Sequence, residues 1–116
     1  MSQIDSKELL NTSAQLLADK GTIQIRIEEK KIRMKLPTTR DIAKILHVPH
    51  YYVLPAFCEM EESGILTREE RVGIWTTEKG TKILIELMME KFPEECKKII
   101  GPDFLKALAD HSGDSE

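Results

Sequence analysis

Residues 38–80 read TTRDIAKILHVPHYYVLPAFCEMEESGILTREERVGIWTTEKG, and the organisation of the chain turns on them. Thr38 or Thr39 offers an N-cap for a helix over about 39–46, with Asp41 near its positive end. Ile42, Ala43, Ile45 and Leu46 form the apolar stripe of that helix, and Ala43 is small where a second helix can cross closely. HVP then makes a turn, with Val48 as its buried plug and Pro49 as a first-turn residue of the next helix. Val53, Ala56, Phe57 and Met60 recur at helical spacing until Ser63-Gly64 stops the run.

Pro55 constrains that second helix. In a helix beginning at Pro49 it would lack an N–H and press on the carbonyl of Tyr51, at a cost of about 3 kcal/mol. Either the helix starts late, near Tyr52, with Pro55 in its first turn, or a distorted turn over 49–52 precedes it. ILTREERVGIWTT follows as two strands around a charged tip. Ile65 and Leu66 open the first, and Val72, Ile74 and Trp75 lie in the second. REER has no two-residue turn signature, so a short loop is expected there. Thr76 or Thr77 caps a further helix over about 77–92, apolar on several sides through Ile83, Leu84, Ile85, Leu87, Met88, Met89 and Phe92.

Working outward, Asp5 or Ser6 caps a first helix over about 5–20 that carries Leu9, Leu10, Ala14, Leu16 and Leu17 and ends at Gly21. In TIQIRIEEKKIRMKL, period-two alternation on both sides of a polar centre predicts a β-hairpin over about 22–27 and 32–36. EEKK is poor turn chemistry, and a helix over 26–36 is the competing reading. PEECKKIIG and PDFLKALAD each read as a short proline-opened helix, and HSGDSE (111–116) as a disordered tail.

With 116 residues, 41% hydrophobic and 32% charged, the chain has the size and balance of one globular domain. No apolar run approaches the ~20 residues of a bilayer span. The N-terminus lacks the regions of a signal peptide, so a cytoplasmic location is expected. Cys58 and Cys96 have no motif spacing and are expected as free thiols. The net charge of −3 is sorted along the chain: residues 20–44 carry eight Lys/Arg against three Asp/Glu, and residues 59–90 carry four against eight. Any attraction for a polyanion therefore rests on a local patch rather than on global charge.

The run DIAKILHVPHYYVLPAFCEMEESGIL resembles the helix-turn-helix of bacterial and archaeal winged-helix regulators. The matching residues are Asp41, Ile42, Ala43, Leu46, Val48, Val53, Ala56, Met60, Glu61 and Gly64. Trp75 to Gly80, WTTEKG, is similar to the wing-to-helix junction of MarR-type and PadR-type regulators, and the resemblance spans about residues 38–84. It implies a mainly α fold with a small β-sheet: a winged helix-turn-helix carrying an additional N-terminal hairpin and C-terminal helices. Residues 1–110 would form one domain, with 38–80 as helix-turn-helix and wing and 81–110 for packing or dimerisation.

The function so implied is a transcriptional regulator that binds double-stranded DNA, working as a homodimer joined through Ile85, Met89 and Phe92. Candidate DNA contacts are Thr39, Arg40, Lys44, His50, Tyr51, Tyr52, Arg68 and Arg71. The reading face lacks the Arg, Lys, Asn or Gln that read bases in pairs of hydrogen bonds. The alternative function is therefore a winged-helix protein-interaction module presenting Tyr51, Tyr52 and Leu54. These side chains could instead pack on the N-terminal hairpin. The four cations could be ordinary solvated charge. Lys30, Lys31, Arg33 and Lys35 could extend the patch or be solvated hairpin charge. His47, His50 and Cys58 lack a matching second ligand pair for zinc, so no metal is expected. No phosphate-binding glycine loop or partnered nucleophile is present, so neither enzymatic activity nor a cofactor is expected.

Overall fold

The computed structural model describes residues 4–29, 31–69, 72–104 and 106–107. Lys30, Arg71, the tail at 111–116 and the end of the helix expected over 102–110 lie outside the described residues; residues 102–104 are helical. The chain is mainly helical, with two small antiparallel hairpins. Its order is α1 (Ser6–Lys20), β1 (Ile25–Glu28), β2 (Lys31–Met34), α2 (Thr39–Leu46), a 3₁₀ turn (His50–Tyr52), α3 (Leu54–Glu62), β3 (Leu66–Glu69), β4 (Gly73–Thr76), α4 (Glu78–Lys91) and α5 (Pro93–Ile100).

Local chemistry accounts for the helix ends. The Asp5 side chain accepts from Glu8 N–H, Thr38 from Asp41 N–H, and Thr77 from Gly80 N–H. Gly21, at φ 73°, closes α1 in the left-handed conformation. The exit of α2 uses the same geometry without a glycine. His47 stands at φ 58°, its N–H reaches Lys44 O, and Val48 N–H reaches Ala43 O at 3.1 Å. Val48 then packs against the core as the plug of the turn.

Both ways of accommodating Pro55 are used. A separate 3₁₀ turn, entered from Pro49, precedes α3, and α3 begins so late that Pro55 falls in its first turn. Pro49 therefore belongs to the entry of the turn rather than to the helix. The α2 stripe is narrower than expected: Ile42 and Ala43 are buried, Leu46 is partly buried, and Ile45 is 44% exposed. Val72 precedes β4 and is also 44% exposed, so it is not a sheet residue.

The N-terminal hairpin pairs Ile25 with Met34 and Glu28 with Lys31, which leaves a two-residue connection. Its first residue, Glu29, is forced to φ 49°, the consequence of a turn lacking glycine or asparagine. The second hairpin pairs Leu66 with Thr76 and Glu69 with Gly73. Chain continuing from β2 ties the two hairpins together: Lys35 bridges to Trp75, and Leu36 N–H donates to Ile74 O at 2.9 Å. Behind them a single core gathers Leu9, Ala14 and Leu17 of α1, Phe57 and Met60 of α3, Leu84, Ile85 and Met88 of α4, Met34 of β2, and Cys96 of α5.

The entrance to α4 locks these parts together. Met34 N–H donates to Thr76 Oγ1 at 2.8 Å, and Thr76 Oγ1 lies 2.6 Å from Thr81 Oγ1. Thr81 lies 2.6 Å from Ile32 O and 2.9 Å from Thr77 O. Carbonyls cannot donate, so the Thr81 proton points at one of them and the Thr76 hydroxyl donates to Thr81. A Cβ at Gly80 would sit 1.8 Å from Ile65 O, the carbonyl that also accepts from Thr77 N–H. Gly80→Ala should therefore cost at least about 2 kcal/mol of unfolding free energy by overpacking. Thr81→Val should cost about 1–3 kcal/mol by stranding buried polar partners. In contrast, His47→Gly should stabilise the protein by about 0.5–1 kcal/mol, because it relieves a left-handed non-glycine residue. Chemical denaturation of the three variants reads all three values.

Candidate nucleic-acid interface

The surface expected to meet DNA is built by α2, the 3₁₀ turn and the first turn of α3. Arg40 and Lys44 stand four residues apart on α2 and are both exposed, so they share one helical face. Among the described residues no acidic side chain lies within salt-bridge distance of either. Asp41, on the same helix, is 4.0 Å from Lys20 of α1. Thr39 Oγ1 and His50 Nε2 are 2.6 Å apart, which fixes the turn to the start of α2. Tyr51 is 66% exposed, whereas Tyr52 is partly buried and packs on the core. The two rings meet edge-on with centroids 5.0 Å apart. The turn's chief neighbours are α2 and α3. The structure thus brings Thr39, Arg40, Lys44, His50 and Tyr51 to adjoining elements and turns Tyr52 inward.

The acidic residues of α3 are partly accounted for within the chain. Ser6 Oγ, at the start of α1, donates to the Glu59 carboxylate. Glu61 accepts from Arg68 at 3.1 Å, and the Arg68 guanidinium lies over the Phe57 ring at 5.1 Å. Arg68, of β3, is therefore held against α3, which reduces its availability to a phosphate.

Arg26 and Arg33 stand directly opposite each other in the first hairpin, an arrangement that repels without a counter-ion. Glu69 of β3 supplies one. Arg26 forms a two-pronged contact with it, Nη1 to Oε1 at 3.1 Å and Nη2 to Oε2, and Arg33 Nη1 is 3.4 Å from Oε2. Arg33 also donates to Thr76 O at 3.0 Å and Thr67 Oγ1 at 2.9 Å. The Arg26 guanidinium lies 4.4 Å from the Trp75 ring centroid, a cation–π contact. Arg33, read from sequence as patch or solvated charge, is thus internal cement. The signal that sequence reading missed is Glu69, whose pairing depends on two hairpins meeting.

The three residues expected to join protomers do not share one exposed face. Ile85 is 1% exposed and belongs to the core of its own chain, and Phe92 packs against that core. Met89 alone is exposed, at 39%. Cys96 is buried, and burial pushes its thiol pKa up, whereas Cys58 is exposed. No helix among the described residues is long and apolar enough to cross a membrane.

No family model, no curated protein and no solved structure matches the chain. The resemblance of residues 38–84 therefore rests on the residues quoted for it.

The hydrogen bond from Arg26 holds Glu69 below the usual glutamate range, and Glu69 in turn raises Arg26. Because the folded-state value lies below the unfolded one, the contribution is complete above the ordinary glutamate range. It is lost as pH falls through the folded value. Glu69→Gln should accordingly be less stable than the parent at neutral pH and lose less stability on acidification. Urea unfolding at a series of pH values from neutral to acid compares the two slopes.

Proposed function

We propose that this chain is a winged helix-turn-helix domain that binds double-stranded DNA, with the start of α2 and the 3₁₀ turn against the duplex. The observation that carries the reading is the pair of exposed cations Arg40 and Lys44, without acidic partners among the described residues, beside the His50–Tyr51 turn. The charges that would oppose it are partly disposed of: Ser6 engages Glu59 and Arg68 engages Glu61. The element order also supports it, with a helix, turn and helix followed by a hairpin that is bridged to Lys35, the residue after β2.

On this reading Arg40 and Lys44 contact phosphates, His50 and Tyr51 reach toward the groove, and Thr39 orients His50. With few base-reading side chains, recognition depends on backbone contacts and duplex shape more than on base edges. A second reading, contact with a protein, is favoured by one feature: Tyr51 is 66% exposed in the turn, and Pro55 and Glu62 are exposed on the following α3.

Mobility shift and fluorescence anisotropy at low salt distinguish the two. Duplex DNA should be retarded by micromolar protein. Arg40→Ala with Lys44→Ala should weaken binding to all sequences alike and reduce the salt slope by about two. Folded protein that fails to retard any duplex removes the DNA reading. A Tyr51→Ala variant that keeps DNA binding but loses a protein partner would favour the second.

A further inference from the structure

A cleft of ≈ 370 Å³ opens where β2, the exit of α3 and the first turn of α4 meet. Lys31 and Arg33 come from β2, two residues apart and so on one face of the strand. Glu78 and Lys79 come from α4, and Gly64 and Thr77 complete the lining. The fold holds these cations without neutralising them. Lys31 is paired across the hairpin with Glu28, but the Glu28 carboxylate approaches Arg26 Nε instead, at 3.2 Å. Lys79 Nζ donates to Ser63 O at 3.3 Å, a carbonyl that carries no full charge. Among the described residues neither lysine has an acidic side chain within salt-bridge distance. Arg33 is fixed by Thr76 O and Thr67 Oγ1, and the one acid near it, Glu69, is shared with Arg26.

We infer that this cleft binds a small phosphate monoester that also carries a hydroxyl group, the chemistry of a sugar phosphate. Lys31, Arg33 and Lys79 against Glu78 leave a formal excess of two positive charges in the lining. A phosphate monoester brings about −1.5 to −2 near neutral pH. A cleft dominated by one sign of charge focuses its field and concentrates a counter-ion. The Lys31 and Lys79 ammonium groups donate to the phosphate oxygens, and Arg33 adds charge from a fixed position. Glu78 accepts from the ligand hydroxyl and opposes a second phosphate, which selects a monoester over a polyphosphate. The volume is on the scale of a small-molecule site rather than of a single ion. Two of the three cations belong to β2, so the site is not made by the end of α4. It is also separate from the surface proposed to meet DNA. The cleft lies past the exit of α3 and the 3₁₀ turn precedes its start, about 13 Å away along that helix.

Isothermal titration calorimetry with ribose 5-phosphate should show one site per chain. Ribose should give no binding, and inorganic phosphate should bind more weakly. Lys31→Ala with Lys79→Ala, both at exposed positions, should weaken ribose 5-phosphate about tenfold or more. Glu78→Gln should remove the preference for ribose 5-phosphate over inorganic phosphate. If the double variant fails to fold, nuclear magnetic resonance of the parent protein decides: ribose 5-phosphate should shift the amides of Lys31, Arg33, Glu78 and Lys79 and leave those of Arg40 and Lys44 in place. Ribose 5-phosphate that neither binds nor shifts those amides at millimolar concentration overturns the inference. So does a folded double variant that binds like the parent, or inorganic phosphate that binds as tightly as the ester. A duplex that displaces ribose 5-phosphate, and that the double variant binds less tightly, also overturns it by assigning the lysines to backbone phosphates. Ribose 5-phosphate binding by a protein that retards no duplex supports the cleft and removes only the DNA reading.

Discussion

Hydroxyl and amide contacts at the head of α4, buried at Thr76 and Thr81, hold the parts of this molecule in register. Thr76 takes the Met34 amide of β2 and gives its proton to Thr81, which lies against the Ile32 carbonyl. Backbone groups in the first hairpin are thereby satisfied from the last strand and the last long helix. Thr77, partly exposed, adds a further tie, its hydroxyl 2.5 Å from Gly64 O and its amide donating to Ile65 O, so the exit of α3 is fixed to the same place. The arrangement requires a backbone approach so close that only a residue without a side chain fits at position 80. Elements from both ends of the chain thus depend on one short segment, and an error there would be felt by hairpin, helix and core together.

Electrostatics follows from the same assembly. The basic stretch at 20–44 looks, along the chain, like a continuous source of positive charge. In the folded molecule Arg26 and Arg33 are drawn toward Glu69, Arg26 is also laid on Trp75, and Lys20 approaches Asp41. Among the described residues of that stretch, Lys31, Lys35, Arg40 and Lys44 keep no acidic partner. Local charge density is therefore decided by which cations the fold consumes, not by their number. On the proposed reading, contact with a duplex would then be weak and shape-dependent rather than a strong non-specific attraction.

The turn between α2 and α3 shows how a constraint that looks unfavourable is absorbed. Proline at position 55 would break a long helix, so the chain inserts a separate 3₁₀ turn and starts α3 late. His47 bears a left-handed backbone so that α2 can end in a closed pair of hydrogen bonds. The result holds His50 against Thr39 and leaves Tyr51 exposed ahead of a helix that carries Glu59, Glu61 and Glu62.

Much of the fold was legible from the chain alone because it is written in short-range terms. Caps at Asp5, Thr38 and Thr77, stops at Gly21 and Gly64, the proline at 55, and period-two alternation around EEKK act over a few residues. The bounds of α2 and the late start of α3 follow from them. What only the tertiary structure decided depends on partners far apart in sequence: Glu69 as counter-ion to two facing arginines, Ile85 as core, and Ile45 and Val72 left in solvent. Periodicity states that a residue is apolar or charged and which side of its own element it occupies. It does not state which other element arrives on that side, and burial and charge pairing are set by that arrival.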